Sequence, residues 1–148
     1  MDKPPARVFC ALWTPFDPDL RPDEAALRST LEFVLEQKVH GIMALGSTGE
    51  FLHLDTAGRK DVLQIIRQAA PDCPLIANIS HVRRREAVDL GLHAKAHGAG
   101  LIAPLPPWFY PMTQADLVEF FPAIAEAVQL PLALYNFPEM TGKRIETR

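Results

Sequence analysis

Apolar positions along the chain alternate between two patterns. Short continuous apolar runs, bounded by Gly, Pro or polar residues, occur at Val8–Trp13, Gly41–Leu45, Pro74–Asn78, Gly100–Ala103 and Pro131–Asn136. Such runs predict parallel strands covered on both faces. Between them lie longer stretches with apolar residues at helical spacing. Asp23–Gln37 carries Ala26, Leu27, Leu31, Val34 and Leu35 on one face, and Pro22-Asp23 suits its start. A second helix runs from Asp55 or Thr56 to about Ala70 with Val62, Leu63, Ile65 and Ile66 inward. A third spans Arg84–His97 and stops at Gly98. Thr113 caps a fourth through Val128, where Pro122 predicts a kink or a reset first turn. The segment Pro104–Pro111 reads as a Pro-rich loop bearing Trp108, Phe109 and Tyr110, and Phe137–Arg148 as a loop entering another helix.

This alternation specifies an α/β fold with about five parallel strands and four helices. An open doubly wound sheet and a closed β/α barrel both satisfy it, and periodicity does not separate them. No repeat or linker divides residues 1–148, so a single domain is expected.

Composition narrows the partners. A net charge of −3 argues against nucleic acid. No apolar run is long enough to cross a membrane, and the N-terminus lacks a signal-peptide profile. Cys10 and Cys73 form neither a disulfide framework nor a Cys-x-x-Cys pattern, so a reducing, cytoplasmic setting is expected. His93 and His97 stand one helical turn apart without a third ligand nearby, so no metal is expected. Arg83-Arg84-Arg85 reads as a solvated charge run, with a phosphate or sugar-acid contact from His81 and Arg83 as the minor alternative.

The candidate chemistry starts at Gly46-Ser47-Thr48-Gly49-Glu50, which ends the second apolar run. Glycines allow a tight turn, and the hydroxyls and amides between them form a cradle for a carboxylate or phosphate. The carboxyl ends of strands are where α/β proteins place their sites. Taken alone, Ser47 and Thr48 read equally as turn residues bonding their own backbone, and Tyr135 as a core aromatic.

Four segments together resemble the N-terminal part of the dihydrodipicolinate synthase/N-acetylneuraminate lyase family: Ala11–Phe16 (Ala-Leu-Trp-Thr-Pro-Phe), Gly46–Glu50, Gly98 to Pro107, and Tyr135-Asn136-Phe137-Pro138. Their order and spacing cover nearly the whole chain. The resemblance implies a (β/α)8 TIM barrel, here partial, and class I aldolase or lyase chemistry on pyruvate or another 2-keto acid. In that chemistry a lysine amine forms a Schiff base that acts as an electron sink, with no further cofactor. By position, Tyr135 matches the proton-shuttling tyrosine and Ser47 its hydrogen-bond partner. Ser47 and Thr48, with Gly46 and Gly49, match the carboxylate cradle. Thr14 either lines the pocket floor or simply closes the first strand. Trp108, Phe109 and Tyr110 read as a lid or subunit contact, or as a hydrophobic loop anchor.

The resemblance places the Schiff-base lysine on a sixth strand, beyond Arg148. Lys38, Lys60 and Lys95 fall on or beside helices, Lys3 is terminal, and Lys143 reads as a solvated loop residue. The chain alone is therefore expected to be inactive. A homo-oligomer, or pairing with the missing barrel half, is expected to cover its open edges. The alternative is a non-catalytic remnant or interaction module that keeps a carboxylate-binding half-pocket. Two departures concern the substrate. Met140 falls where dihydrodipicolinate synthases carry an arginine for the aldehyde's carboxylate, and Phe109 falls where they carry a tyrosine. Both turn the expectation toward sugar-acid lyases.

Overall fold

The computed structural model describes residues 7–146. The elements follow in the order β1 (Phe9–Ala11), α1 (Glu24–Glu36), β2 (Gly41–Ala44), α2 (Thr56–Ala69), β3 (Leu75–Ala77), α3 (Arg84–Ala96), β4 (Leu101–Ile102), α4 (Gln114–Val128) and α5 (Pro138–Thr141), with a 3-10 turn at Phe51–His53 after β2. The strands form one parallel sheet in chain order, β1-β2-β3-β4. α1, α2 and α3 each cross between neighbouring strands, as the right-handed βαβ rule favours.

Helix boundaries match the capping chemistry. The Asp23 carboxylate accepts from the Ala26 amide and starts α1, and Asp55 accepts from Gly58 to start α2. Thr113 and Asp116 cap α4 reciprocally. Gly98 takes a left-handed conformation, φ 72°, just beyond α3. α4 runs through Pro122 rather than ending there. Pro122 is exposed, so the carbonyl of Val118 that it leaves unbonded lies on the outer side, where solvent can reach it.

The fifth predicted strand is not a regular strand. Pro131–Asn136 lies along β4 through one parallel bridge, Ile102 to Leu132. Three backbone bonds hold it: Ile102 N–H to Pro131 O at 3.0 Å, Ala133 N–H to Ile102 O at 2.9 Å, and Tyr135 N–H to Pro104 O at 3.2 Å. The cause is β4 itself. Pro104, Pro106 and Pro107 follow it immediately and have no N–H to extend a ladder. The expected four helices become five, because Phe137–Arg148 contains the short α5.

One sheet face is packed. Leu12, Ile42, Ala44, Leu75, Ala77 and Ile102 are buried against Leu27, Leu31, Val62, Leu63, Ile66, Leu90 and Ile124 of the helices. The other face is only half-covered. Met43, Ile76 and Leu101 alternate with the buried positions at intermediate exposure, and Trp13 is 55% exposed at the end of β1. This is the face that a closed barrel would turn to its interior.

Candidate active site

The turn after β2 is built differently from the expectation. Neither Gly46 nor Gly49 adopts a left-handed conformation. The residues that do are Leu45, φ 60°, and Glu50, φ 50°, one on each side of Gly46–Gly49. A non-glycine residue in that region is strained, and such strain persists only where the surroundings over-determine it. Leu45 is fully buried among core side chains, which supplies that constraint. Gly49 answers a different need. A Cβ there would lie 2.9 Å from the Leu12 carbonyl and 3.2 Å from the Leu45 backbone, so only glycine permits the approach of the β1 end. Thr14 makes that approach productive: its buried hydroxyl donates to the Gly49 carbonyl at 2.9 Å.

Ser47 sits at the apex, with its hydroxyl 2.8 Å from the Tyr135 hydroxyl. Ser47 follows β2 and Tyr135 lies in the extended segment beside β4, with β3 and β4 between them, and the contact is half-buried. Tyr135 stacks on Phe137, ring centroids 6.2 Å apart with the planes 14° from parallel. Thr48 is exposed and Gly46 is buried. Among the described residues the amides of Ser47 and Thr48 donate to no backbone acceptor, while Glu50 N–H closes the turn onto Ser47 O at 3.1 Å. Two amides without a backbone acceptor, the Thr48 hydroxyl and the Ser47 hydroxyl that meets Tyr135 thus lie together at one strand end, a set of donors of the kind that can receive an anion.

Beside Ser47 lies a pocket of about 190 Å³, walled by Phe51, Leu105, Trp108, Phe137 and Met140. Asn136 shapes the chain that follows. Its side-chain amide donates to Ile145 O and accepts from Ile145 N–H, at 3.1 and 3.0 Å. Phe109 and Tyr110 are exposed and pack edge-to-face on each other, centroids 4.9 Å apart. His81 accepts from the Arg83 amide through Nδ1 at 3.0 Å, and the Arg83 guanidinium reaches Glu86 at 3.5 Å. Burial, with Arg83 nearby, holds the His81 imidazole below its ordinary pKa.

The lysines are engaged elsewhere. Lys60 pairs with Asp89 at 2.6 Å, and Lys95 donates to Val128 O at 3.0 Å. Lys38 lies between α1 and β2, at the opposite end of the strands. Lys3 lies outside the described residues. Lys143 is not a solvated loop residue. It is partly buried, and its ammonium donates to Trp108 O at 3.1 Å and Thr141 O at 3.4 Å, tying α5 to the Pro-rich loop.

A group not anticipated from the sequence stands behind the site. Arg59 is buried on α2, and its guanidinium donates to Ser80 O at 2.7 Å and Asn78 O at 3.0 Å. Burial lowers its pKa to about 10. The signal for it was present: Arg59 shares the spacing of Val62, Leu63 and Ile66, which puts it on the inward face of α2.

Comparisons with known proteins show the family and the fold. The family model for the dihydrodipicolinate synthetase family matches residues 4–148. A 4-hydroxy-tetrahydrodipicolinate synthase of Methylococcus capsulatus is 40% identical over 133 residues, 89% of this chain and 46% of that protein. An N-acetylneuraminate lyase of Escherichia coli is 31% identical over 140 residues, 93% of this chain and 47% of that protein. Among solved structures, YagE from E. coli K12, described as a family member in complex with pyruvate, superposes with a TM-score of 0.90. It does so at 28% identity, over 94% of this chain and 47% of its own. The chain thus spans about half the length of the relatives it matches. Its fold is the corresponding portion of their TIM barrel, and the chain belongs to the dihydrodipicolinate synthetase family.

Proposed function

We propose that this chain carries the keto-acid side of a Schiff-base aldolase or lyase site. Ser47, Thr48 and the amides between Gly46 and Gly49 hold the carboxylate of a pyruvate-like 2-keto acid. Tyr135 moves protons at the iminium and at the aldehyde oxygen. A free phenol titrates near ~10, so it needs a hydrogen-bonded partner to exchange protons near neutrality, and Ser47 is that partner. Thr14 positions the cradle through Gly49. The observation that carries the reading is the 2.8 Å contact between the Ser47 and Tyr135 hydroxyls at the head of the anion cradle. The Schiff-base lysine is supplied by chain outside these residues, because Lys60, Lys95 and Lys143 are committed to other partners.

For the aldehyde half we propose the sugar-acid side of the family. The wall beside Ser47 is mostly apolar, with Glu50, His53 and Thr141 as its polar members, and Met140 contributes to it without offering a cation to an acceptor's carboxylate. Phe109 has no hydroxyl to add to a proton relay. Matching relatives carry both names, and the tetrahydrodipicolinate synthase is the more similar at 40% against 31% identity, so support for the sugar-acid side comes from Met140 and Phe109 alone.

Pyruvate titrated into the 148-residue chain, followed by NMR, tests the cradle. Shifts at Ser47 and Tyr135 that vanish in Ser47→Ala are expected; their absence in the parent chain sinks the reading. Borohydride reduction in the presence of pyruvate is expected to leave the chain mass unchanged. A stable pyruvyl adduct would overturn the assignment of the lysine. Should pyruvate bind but no turnover or adduct appear even with the remaining part of a family barrel supplied, the chain is a non-catalytic remnant or interaction module with a residual carboxylate-binding half-pocket.

A further inference from the structure

We propose that Arg59 is a positioning residue that locks together the loops after β2, β3 and β4, and through them sets the shape of the keto-acid cradle. The cradle's role rests on the function proposed above; the locking does not. Arg59 is 3% exposed and has no carboxylate partner among the described residues. Burying a guanidinium without a counter-ion is costly. Its stem lies beside Val62, Leu63 and Ile66, and an aliphatic side chain would serve that packing at lower cost.

What distinguishes Arg59 is where its planar head arrives. Two N–H groups fork onto Ser80 O and Asn78 O, in the segment that follows β3. Those carbonyls are buried and would otherwise lack a donor. The guanidinium face covers the Phe51 ring, 5.0 Å from its centroid, in the turn that directly follows Gly46–Glu50. Phe51 in turn meets Trp108 edge-to-face at 5.9 Å, in the Pro-rich loop after β4. Ser80 reaches the same loop, because its hydroxyl accepts from the Leu105 amide at 2.7 Å. Asn78 Oδ1 accepts from Ser80 N–H at 2.7 Å and from the Ser80 hydroxyl, which closes the β3 segment on itself. One cation thus joins three successive loops at the carboxyl end of the sheet. Only a planar fork with a π-binding face supplies both contacts.

Arg59 Nε and Asn78 Nδ2 are buried and have no acceptor among the described residues. Leaving them unpaired costs stability, so packing alone does not account for an arginine at this position.

The test is amide hydrogen exchange on the full chain, comparing the parent with Arg59→Met and Arg59→Lys. A Trp13→Phe background leaves Trp108 as the single indole. Arg59→Met is expected to speed exchange about tenfold or more at Ser80 and Leu105, with α1 and α3 amides unchanged. The Trp108 emission is expected to shift, and pyruvate affinity to fall about fivefold or more. Arg59→Lys keeps the cation over Phe51 but loses the fork. It is expected to restore the Trp108 emission and leave Ser80 and Leu105 unprotected. Exchange that rises uniformly across the chain, or that is unchanged at Ser80 and Leu105, overturns the proposal. If Arg59→Met does not fold, Phe51→Leu replaces it. That variant is expected to shift Trp108 emission while Ser80 and Leu105 stay protected, and an unshifted emission overturns the linkage. If the parent chain binds no pyruvate, the keto-acid reading fails, and the exchange data still decide the role of Arg59.

Discussion

The Ser47 and Tyr135 hydroxyls meet at 2.8 Å although 88 positions separate them in the sequence. The contact is set by the backbone: Ser47 is held by the strained turn between Leu45 and Glu50, and Tyr135 by the hydrogen bond its N–H donates to Pro104 O. Ser47→Ala and Tyr135→Phe should therefore couple. A double-mutant cycle on urea unfolding is expected to return an interaction of about 0.5–1.5 kcal/mol. Additive single effects would show that the two hydroxyls do not share a hydrogen bond in solution.

Thr14→Val keeps the shape of the side chain and removes its hydroxyl. The Gly49 carbonyl then loses the buried donor that sits 2.9 Å away. A loss of about 1–3 kcal/mol in unfolding free energy is expected, because a buried acceptor is left unsatisfied. Thr14→Ser retains the donor and is expected to recover most of it. A larger loss in Thr14→Ser than in Thr14→Val would assign the effect to packing of the methyl group.

Gly91→Ala sets two effects against each other. Alanine favours a helix interior over glycine by about 1 kcal/mol. Here, however, the new Cβ would lie 2.6 Å from Val128 Cγ2, where α3 packs on α4. Val128 is β-branched and cannot swing aside. Overpacking is expected to win, with a net destabilisation of about 1–2 kcal/mol read from thermal or urea unfolding. A neutral or stabilised variant would mean that α4 shifts freely over α3.

Acid sensitivity is expected from the paired imidazoles on α3. His93 and His97 stack with centroids 4.0 Å apart, and burial, then the neighbouring His97, lowers the His93 pKa. The folded state therefore binds this proton less readily than the unfolded chain. Stability is complete above the unfolded imidazole value of about 6.5 and falls as pH drops below it, levelling once the folded value is passed. His81 contributes in the same direction. Urea midpoints measured across that window are expected to decline in the parent and to flatten in His93→Gln. A parent profile without slope there would show that the stacked pair gives way locally without cost.

Much of the fold could be read from the sequence because its signals are local. Asp23, Asp55 and Thr113 cap the helices they were expected to start, since a capping side chain bonds an amide only three residues on. The fifth strand was misjudged because its apolar run looks like the others. Its regularity depends on β4, whose trailing prolines withhold the donors that a neighbour needs. At the site, motif order placed Ser47 beside Tyr135, but the glycine rule misplaced the strain. Left-handed geometry fell on Leu45 and Glu50, where the packed surroundings override intrinsic preference. Arg59 escaped notice because charge patterning assigns arginine to solvent, and its partners are carbonyls on a different strand end.

The sheet order repeats the chain order, so every strand pairs with the strand synthesised just before it. Each β-α-β step can be completed while the next is still leaving the ribosome, without waiting for a distant partner. The turn at Gly46–Glu50 can thus form early, and the phenol that meets Ser47 follows 88 positions later, with Phe137 and Met140 of the pocket wall behind it.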